Sequence, residues 1–280
     1  MIVLIMKKQI LGLLSDFGTK DGYVAAMKGV IYEISGAITI VDVSHDIAKQ
    51  DVRNGAFVLA TAAPFFPDGT VFVCVVDPGV GTDRRGIVVE GKRHLYVGPD
   101  NGLLMLSAQH EGIKHVYEIK NRKYMSQEIS ATFHGRDIFA PVAAYLAVGT
   151  CLEEIGQEIS DYIVLSQARA TIEYRDISCE VLHVDGFGNI ITNVILEDLK
   201  QIGLKSGDLL KIQIKTQVLN VGFLETYGKT QPGEFLALIG STGFFEIAIN
   251  QGNAAQKLDV STGDTIAISR NSLSPYKKHA

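Results

Sequence analysis

The first half of the chain alternates short apolar runs with stretches of helical periodicity. Apolar residues recur at helical spacing over residues 23–34 and 52–63, and Asp51 is placed to cap the second of these helices. A further helix follows Asp137, with Pro141 in its first turn. Alternating strands and helices predict a largely parallel sheet covered by helices. The strand-like runs are residues 10–14, 38–43, 71–76 and 87–89.

The second half shows little helical periodicity. Its strand-like runs are separated by Gly, Asn and Asp, as in small antiparallel sandwiches and barrels. A polar segment at residues 165–175 divides the two patterns. We therefore predict an α/β N-terminal domain with a largely parallel sheet, residues 1–168, followed by a smaller all-β, antiparallel barrel-like domain, residues 169–280. The runs are CEVLHV, NIITNVI, LLKIQI, EFLALIG, FFEIAI and DTIAIS.

Composition narrows the class of partner. The chain has 280 residues, 46% of them hydrophobic, and a formal net charge of −5. Because there is no basic excess, nothing indicates the phosphate neutralisation on which nucleic-acid binding depends. Nucleic acid is therefore not expected as a partner, and neither is a membrane.

The cysteines and the first residues both indicate a cytoplasmic protein. Cys74, Cys151 and Cys179 are an odd number without metal-type spacing, which favours reduced thiols in the core over a disulfide framework. The opening MIVLIMKKQILGLL has its lysines after the first apolar residues and lacks a small-residue cleavage site, so it does not fit a signal peptide. It is also too short to span a bilayer.

Three successive predicted strands end in polar clusters, namely SDFGTKDG, DVSHD and DPGVGTDRR. The carboxyl ends of parallel strands meet at one edge of a sheet, where ligands bind. A single aspartate at a strand end is usually a turn former. Repetition on three strands favours a functional edge formed by Asp16, Asp42, His45, Asp46 and Asp77.

The segment TFHGRDIFAP places His134 just before a predicted helix. Alone, this histidine fits a helix cap or a buried structural residue equally well. Close to Asp77 and Arg84 it would complete a cluster able to bind and orient a water molecule, with a bidentate arginine–carboxylate pair. We expect the adjacent Arg85 to be structural.

The second half contributes the segment VDGFGNIITN. A Phe-Gly-Asn sequence between strands usually forms a turn. Asp185 and Asn189 nevertheless concentrate carboxylate and amide groups of the kind that hold an ammonium or read a purine edge. The chain lacks the glycine-rich dinucleotide and phosphate motifs, HExxH and GxSxG. Phosphate-cradling and serine-hydrolase chemistry therefore lose support.

Six segments in series resemble one known family. They are LLSDFGTKDGYVAAMKG, VDPGVGTDRRG, VGPDNGLL, TFHGRDIFAP, DGFGNIITN and GNAA, within residues 13–255. Together they resemble the S-adenosyl-L-methionine hydroxide adenosyltransferases, relatives of the enzymes that make 5′-fluoro- and 5′-chloro-5′-deoxyadenosine. The resemblance implies hydrolysis of S-adenosyl-L-methionine to adenosine and L-methionine by attack of water or hydroxide at C5′. It also implies the two-domain fold, a homotrimer with sites at subunit interfaces, and no cofactor or metal beyond the substrate.

The resemblance assigns roles to residues of the first domain. The family's catalytic aspartate, arginine and histidine correspond to Asp77, Arg84 and His134. Its ribose-binding aspartate corresponds to Asp16. The resemblance leaves open whether His134 deprotonates the water or the Arg84–Asp77 pair binds hydroxide directly.

The resemblance also assigns substrate contacts to the second domain. Asp185 corresponds to the aspartate that holds the methionine amino group, and Asn189 to the asparagine that reads adenine. Ser241 matches a serine near the methionine carboxylate, and Ala254 lies in a segment whose backbone contacts adenine. Glu246, which lies between Ser241 and Ala254, is a further position carried over from the family.

Two positions depart from the halogenating relatives. Those enzymes carry tyrosine where this chain has Asp77, and a carboxylate beside the nucleophile repels a halide and favours water. Thr242 stands where a halogenating enzyme has an arginine for the methionine carboxylate.

Two alternative functions remain at this point. One is a metal-dependent nucleotide hydrolase using Asp16, Asp42, His45 and Asp46, and the other is a non-catalytic sensor of adenosine or S-adenosyl-L-methionine.

Overall fold

The computed structural model describes residues 9–166 and 169–271. The chain forms two compact units, Met1–Leu165 and Ser166–Ala280. The domain boundary predicted at residue 168 and the first eight residues of the opening apolar run lie outside the described residues. Across the described ranges, no helix is both long and apolar enough to cross a membrane.

The first unit is built on a seven-stranded sheet. Its strands are β1 Ile10–Ser15, β2 Thr39–Ser44, β3 Val71–Val75, β4 Gly86–Gly91, β5 Leu95–Pro99, β6 Ile113–Ile119 and β7 Gly156–Glu158. They are arranged in the order β2-β1-β3-β5-β4-β6-β7. The first four strands in that order are parallel, whereas β4 and β7 run antiparallel to their neighbours. The largely parallel sheet is therefore confirmed, although β4 was predicted as part of the parallel set.

Helices cover both faces of this sheet. Residues of α1 and α4 share a core with the inward side chains of one face, and residues of α2 and α3 do so on the other. Asp51 caps α2 as predicted, because its Oδ1 accepts a hydrogen bond from Asn54 N at 2.9 Å. Pro141 lies in the first turn of α4, also as predicted. The helices are α1 Tyr23–Ile34, α2 Val52–Ala62, α3 Met105–Glu111, α4 Ala140–Ala147 and α5 Leu152–Ile155, with short 3₁₀ turns at Ala63–Phe65 and Arg122–Tyr124.

The second unit is a closed barrel of seven strands. Its strands are β9 Asp176–Val184, β10 Ile190–Ile195, β11 Leu209–Ile214, β12 Gln217–Phe223, β13 Phe235–Ile239, β14 Phe244–Ile249 and β15 Thr265–Arg270, with β8 Thr171–Glu173 beside β9. The order is β9-β10-β14-β13-β12-β11-β15, and β15 closes on β9. All neighbouring pairs are antiparallel except β12 and β13. Alternate side chains fill one interior core, and α6 Leu196–Gln201, α7 Ala254–Leu258 and a 3₁₀ turn at Tyr227–Lys229 complete the unit.

The three cysteines are free thiols. Cys74 and Cys179 are buried, and burial raises the pKa of both thiols, that of Cys179 to about 12. Cys151 is exposed just before α5, so its predicted core position is wrong. It is the N-cap residue of α5, and its side chain makes no capping hydrogen bond.

Candidate active site

Asp77 and Arg84 form a buried bidentate ion pair at the carboxyl edge of the first sheet. Asp77 follows β3, and Arg84 precedes β4 on the far side of a tight loop. Arg84 Nε donates to Asp77 Oδ1 at 3.1 Å, and Nη2 donates to Oδ2 at 2.5 Å. The two side chains are only 5% and 9% exposed. A fork of this kind fixes both the position and the orientation of the carboxylate.

His134 joins this pair from a different loop. Arg84 Nη2 lies 3.0 Å from His134 Nδ1. A guanidinium can only donate, so Nδ1 accepts this hydrogen bond and the ring proton of neutral His134 resides on Nε2. Burial and the charge of Arg84 lower the pKa of His134, which favours that neutral form. The Arg84 guanidinium also lies over the Phe139 ring, 5.3 Å from its centroid.

The loop before His134 is held by Asp137. Its Oδ2 accepts from Ser130 N at 2.8 Å, and its Oδ1 accepts from Arg136 Nε at 2.6 Å. One turn of π-helix, Gly135–Phe139, begins immediately after His134 and leads into α4. The Arg-Asp of the TFHGRDIFAP segment is therefore a structural pair that fixes the approach of His134 to Arg84.

The loops that carry Asp77 and His134 also meet through their backbones. Gly81 has φ +78°, and a Cβ built on it would lie 2.4 Å from the carbonyl oxygen of Ala131. Only glycine satisfies both the positive φ and this close approach.

Arg85 points away from this cluster. It donates to buried Asp100 through Nε and Nη2 at 3.1 and 2.7 Å, and to Asp161 Oδ1 at 3.0 Å. Asp100 also accepts from Ile163 N at 2.9 Å. The structural role predicted for Arg85 is confirmed, because it ties the end of the sheet to the last segment of the first unit.

A cavity of about 250 Å³ opens beside the ion pair. Asp77 and His134 line it, whereas Arg84 does not. The arginine therefore contacts both residues from outside the cavity. The rings of Phe17, Tyr23 and Phe133 form one wall, with centroid separations of 5.3–5.8 Å. The remaining lining residues are Asp16, Asp21, Lys49, Gln50, Val75, Val80, Thr132 and Gly135.

Asp16 lies in the same cavity as Asp77 and His134. Its Oδ2 accepts from Gln50 N at 2.8 Å, and its backbone oxygen accepts from Lys49 Nζ. Asp16 is predicted from the sequence, whereas Lys49, Gln50 and the aromatic wall are not. The useful signal was the Asp51 helix cap, which places residues 49–50 in the loop entering α2.

The other carboxylates of the predicted edge do not line the cavity. Asp42 pairs with Lys28 at 2.6 Å and with His45 Nε2 at 3.1 Å, and Asp46 is exposed. Within residues 9–166 and 169–271, no three His, Cys, Asp or Glu side chains are grouped as metal ligands would be. Of the five residues predicted at this edge, Asp16 and Asp77 line the cavity, whereas Asp42, His45 and Asp46 do not.

In the second unit, Asp185 and Asn189 form one turn. Asp185 Oδ1 accepts from the backbone N–H groups of Phe187 and Asn189, each at 2.9 Å. Its Oδ2 accepts from Asn189 Nδ2 at 2.9 Å. Gly188 packs against Asn253, the cap of α7, and Ala254 is the buried first residue of that helix. The FGN and GNAA segments are thus one structural unit.

Glu246 lies in β14 and is only 5% exposed. Tyr227 donates from its hydroxyl to Glu246 Oε1 at 2.5 Å. Burial raises the pKa of Glu246, the Tyr227 hydrogen bond opposes that rise, and the charge of Asp185 adds to it. Tyr227 was not anticipated from the sequence.

Ser241 is exposed in the turn between β13 and β14, where Gly243 N bonds to Gly240 O at 3.0 Å.

The two units match two models of a single protein family. Residues 11–156 match the SAM hydroxide adenosyltransferase N-terminal domain, and residues 179–267 match the SAM hydroxide adenosyltransferase C-terminal domain. The chain belongs to the SAM hydroxide adenosyltransferase family. The family resemblance inferred from the six segments is therefore confirmed.

The curated proteins to which this chain is similar include proteins named (R)-S-adenosyl-L-methionine hydrolase and proteins named fluorinase. A protein of Salinispora tropica named (R)-S-adenosyl-L-methionine hydrolase is 40% identical over 91% of this chain and 95% of its own length. A protein of Methanocaldococcus jannaschii with the same name is 36% identical over 92% and 95%. A fluorinase of an Actinoplanes species is 28% identical over 93% and 97%.

A solved structure has the same architecture. The crystal structure of an uncharacterized conserved protein from Thermotoga maritima is 38% identical, with a TM-score of 0.90 over 93% of this chain and all of that one. This similarity supports the fold of both units.

Proposed function

We propose that this family member hydrolyses S-adenosyl-L-methionine to adenosine and L-methionine. The observation that carries the proposal is the Asp77–Arg84–His134 cluster, which presents a carboxylate and an imidazole N–H to a cavity that also holds Asp16. The names of the 36–40% identical relatives supply the substrate, in the (R) configuration at sulfur.

The reaction requires little acid or base strength. The water oxygen forms a bond to C5′ of the ribose, the C5′–S bond breaks, and sulfur keeps the electron pair and leaves as a neutral thioether. A water proton becomes acidic as the new C–O bond forms, so a carboxylate can accept it. The main task of the protein is to align one water molecule with C5′.

The geometry favours Asp77 over His134 as the proton acceptor. The Nδ1 lone pair of His134 is engaged by Arg84, and its Nε2 carries a proton. His134 therefore donates to the water oxygen while Asp77 accepts one of the water hydrogens. Arg84 keeps the two side chains in register and leaves the cavity free for substrate.

The remaining assignments follow the family roles. Asp16 binds the ribose hydroxyls, Asp185 the methionine amino group and Asn189 the adenine, with Ser241, Glu246 and Ala254 as further substrate contacts. We propose a cytoplasmic homotrimer in which these sites are completed at subunit interfaces, and a reaction that needs no metal or cofactor. Sedimentation of the purified chain tests the trimer, and full activity after treatment with a chelator tests metal independence.

An isotope experiment tests the reaction itself. The purified chain is incubated with the (R) and (S) epimers of S-adenosyl-L-methionine in ¹⁸O-labelled water, and the products are analysed by liquid chromatography and mass spectrometry. We expect adenosine with one ¹⁸O at its 5′ position, equimolar methionine and preference for the (R) epimer. Intact substrate after prolonged incubation, with saturable binding, would support the sensor alternative and overturn the proposal.

A further inference from the structure

A chain of hydrogen bonds runs from the protein surface to the end of β1 through the DVSHD segment. Lys28 Nζ donates to Asp42 Oδ2 at 2.6 Å, and Asp42 Oδ1 lies 3.1 Å from His45 Nε2. His45 Nδ1 lies 2.7 Å from Ser15 Oγ, which in turn accepts from Phe17 N at 3.3 Å. This chain of hydrogen bonds lies outside the Asp77–Arg84–His134 cluster.

The donors and acceptors of this chain have one consistent direction. Burial opposes ionisation of Asp42, but the hydrogen bonds from Lys28 and His45 outweigh it and lower the pKa of that carboxyl group. An ionised carboxylate can only accept, so His45 carries its proton on Nε2 and accepts the Ser15 hydroxyl proton at Nδ1. The Ser15 oxygen is then free to accept from Phe17 N.

Ser15 and His45 are not a nucleophile and its base. The two residues are 1% and 5% exposed, and neither lines the cavity. A substrate in the cavity cannot reach the Ser15 hydroxyl. The pair therefore acts on the site through what it holds in place.

These hydrogen bonds hold the turn that follows β1. Ser15 Oγ fixes Phe17 N, and the backbone oxygen of His45 accepts from Gly18 N at 2.7 Å. Asp16 lies between these two anchors, and both Asp16 and Phe17 line the cavity. Because both anchors depend on residue 45, its placement sets the direction of two cavity side chains at once.

We propose that His45 is a positioning residue for the nucleoside end of the site, acting through Ser15 and its own carbonyl group to orient Asp16 and Phe17. This inference rests on the proposed function, in which Asp16 binds the ribose hydroxyls. His45 contacts neither the substrate nor the reacting atoms.

Two substitutions separate the two hydrogen bonds of the imidazole. In His45→Asn, the side-chain oxygen can occupy the position of Nδ1 and accept from Ser15, while the bond to Asp42 is lost. In His45→Gln, the amide can reach Asp42, but the acceptor for Ser15 is lost. Ser15→Ala removes the acceptor for Phe17 N by deleting one atom and tests the same link with little risk to the fold.

The matched control is His94→Gln. His94 is another buried histidine of the first unit, with Nδ1 2.8 Å from Glu111 Oε2 and Nε2 3.3 Å from Phe66 O. It does not line the cavity. If His94→Gln loses thermal stability like the other variants but keeps its ligand affinity, a general loss of stability is distinguished from an effect on the site.

Calorimetry with adenosine and 2′,3′-dideoxyadenosine measures the effect on the nucleoside end. We expect Ser15→Ala and His45→Gln to raise the Kd for adenosine about tenfold, with the Kd for the dideoxy analogue changed much less. His45→Asn should recover most of this loss, and His94→Gln should bind both ligands like the native chain. In turnover assays KM should rise while kcat stays within about twofold, because the catalytic cluster is intact.

Other outcomes overturn the inference. Adenosine affinity unchanged in Ser15→Ala and His45→Gln, or lowered equally in His94→Gln, would remove the positioning role. Failure of the native chain to bind adenosine would do the same. Failure to hydrolyse S-adenosyl-L-methionine while binding adenosine would overturn the proposed function alone, because the binding comparison does not depend on turnover.

Discussion

Arg84 donates a hydrogen bond to His134 Nδ1 over 3.0 Å, and so determines which nitrogen of the imidazole faces the cavity with a proton. The same guanidinium holds both oxygens of Asp77. In the proposed function, one buried cation thus orients a donor and an acceptor for a single water molecule.

His134 should act through its Nε2 proton. His134→Asn can keep an acceptor for Arg84 but has no donor in the place of Nε2, so we expect the fold to persist and kcat to fall by about 10²–10³. Rates of adenosine formation under saturating substrate measure the change. Native kcat in this variant would show that the Nε2 proton is not used.

Activity should fall at acidic pH, because a proton on His134 Nδ1 removes the acceptor of the Arg84 hydrogen bond. Burial and Arg84 lower the pKa of His134 below 6.5, so the residue is neutral near pH 7 and gains a proton as the pH falls through the lowered value. The unfolded chain, with its ordinary pKa, binds that proton first, so stability also declines as the pH falls below 6.5. The His134 limb of the kcat profile should therefore lie below 6.5 and disappear in His134→Asn, whereas the effect of Glu246 on KM should remain.

Asp77→Asn should affect both activity and stability. The amide cannot accept the water proton, and it leaves the buried Arg84 charge unbalanced. We expect kcat to fall by about 10²–10⁴ and the free energy of unfolding to fall by about 3 kcal/mol, measured by turnover and urea denaturation. The control is Asp161→Asn, which removes an exposed partner of Arg85 and should leave both quantities nearly unchanged.

Tyr227→Phe should shift the pH dependence of substrate binding. Burial raises the pKa of Glu246, and the Tyr227 hydroxyl opposes that rise, so its removal should raise the pKa further. A protonated Glu246 attracts the substrate ammonium less, so KM should increase as the pH falls and should do so at higher pH in the variant. KM profiles beside those of Tyr174→Phe, which alters a fully exposed tyrosine, check this. Identical profiles would exclude Glu246 from binding.

Gly81→Ala should disturb the contact between the two catalytic loops. The added methyl group would lie 2.4 Å from Ala131 O, in addition to the strain of φ +78°. Gly149→Ala is the matched control, because Gly149 has φ +104° and no atom within 4 Å of the added Cβ. We expect both variants to lose stability, but only Gly81→Ala to lose turnover as well. Equal turnover in both would show that this backbone contact does not matter for catalysis.

Much of the first unit could be predicted because its elements follow local rules. The buried run of β3 and the periodicity of α1 are visible in the residues themselves. The direction of β4 is not, because it depends on pairing with β5 and β6, whose residues carry no clear strand pattern. Their side chains mix polar and apolar residues, and the partner strand decides which face is buried.

The hairpin of β11 and β12 was missed for a different reason. Lys215 and Thr216 form its two-residue loop, and Lys215 has φ +52°. Two-residue hairpin loops usually contain Asn-Gly or Asp-Gly, which makes them recognisable in a sequence. A lysine at positive φ carries no such signal, so the run QVLNVGF was not recognised as a strand.

In the site, the residues that end strands could be found, but their neighbours could not. Asp16 and Asp77 follow recognisable apolar runs. Lys49 and Gln50 come from a loop after an edge strand, and Gln50 has φ +63° without any motif around it. That they line the same cavity depends on the packing of α2 against the sheet, which no local pattern expresses.

The turn at Asp185 and Asn189 has a consequence for how a reaction cycle ends. These two residues are bonded to each other, and in the proposed function one holds the amino acid and the other the purine. An intact substrate would thus be bound at two points of one hydrogen-bonded turn. Once the first contact is made, the second costs little additional entropy. Cleavage divides the molecule between the two points, so each fragment keeps only one of them and departs more readily than the whole.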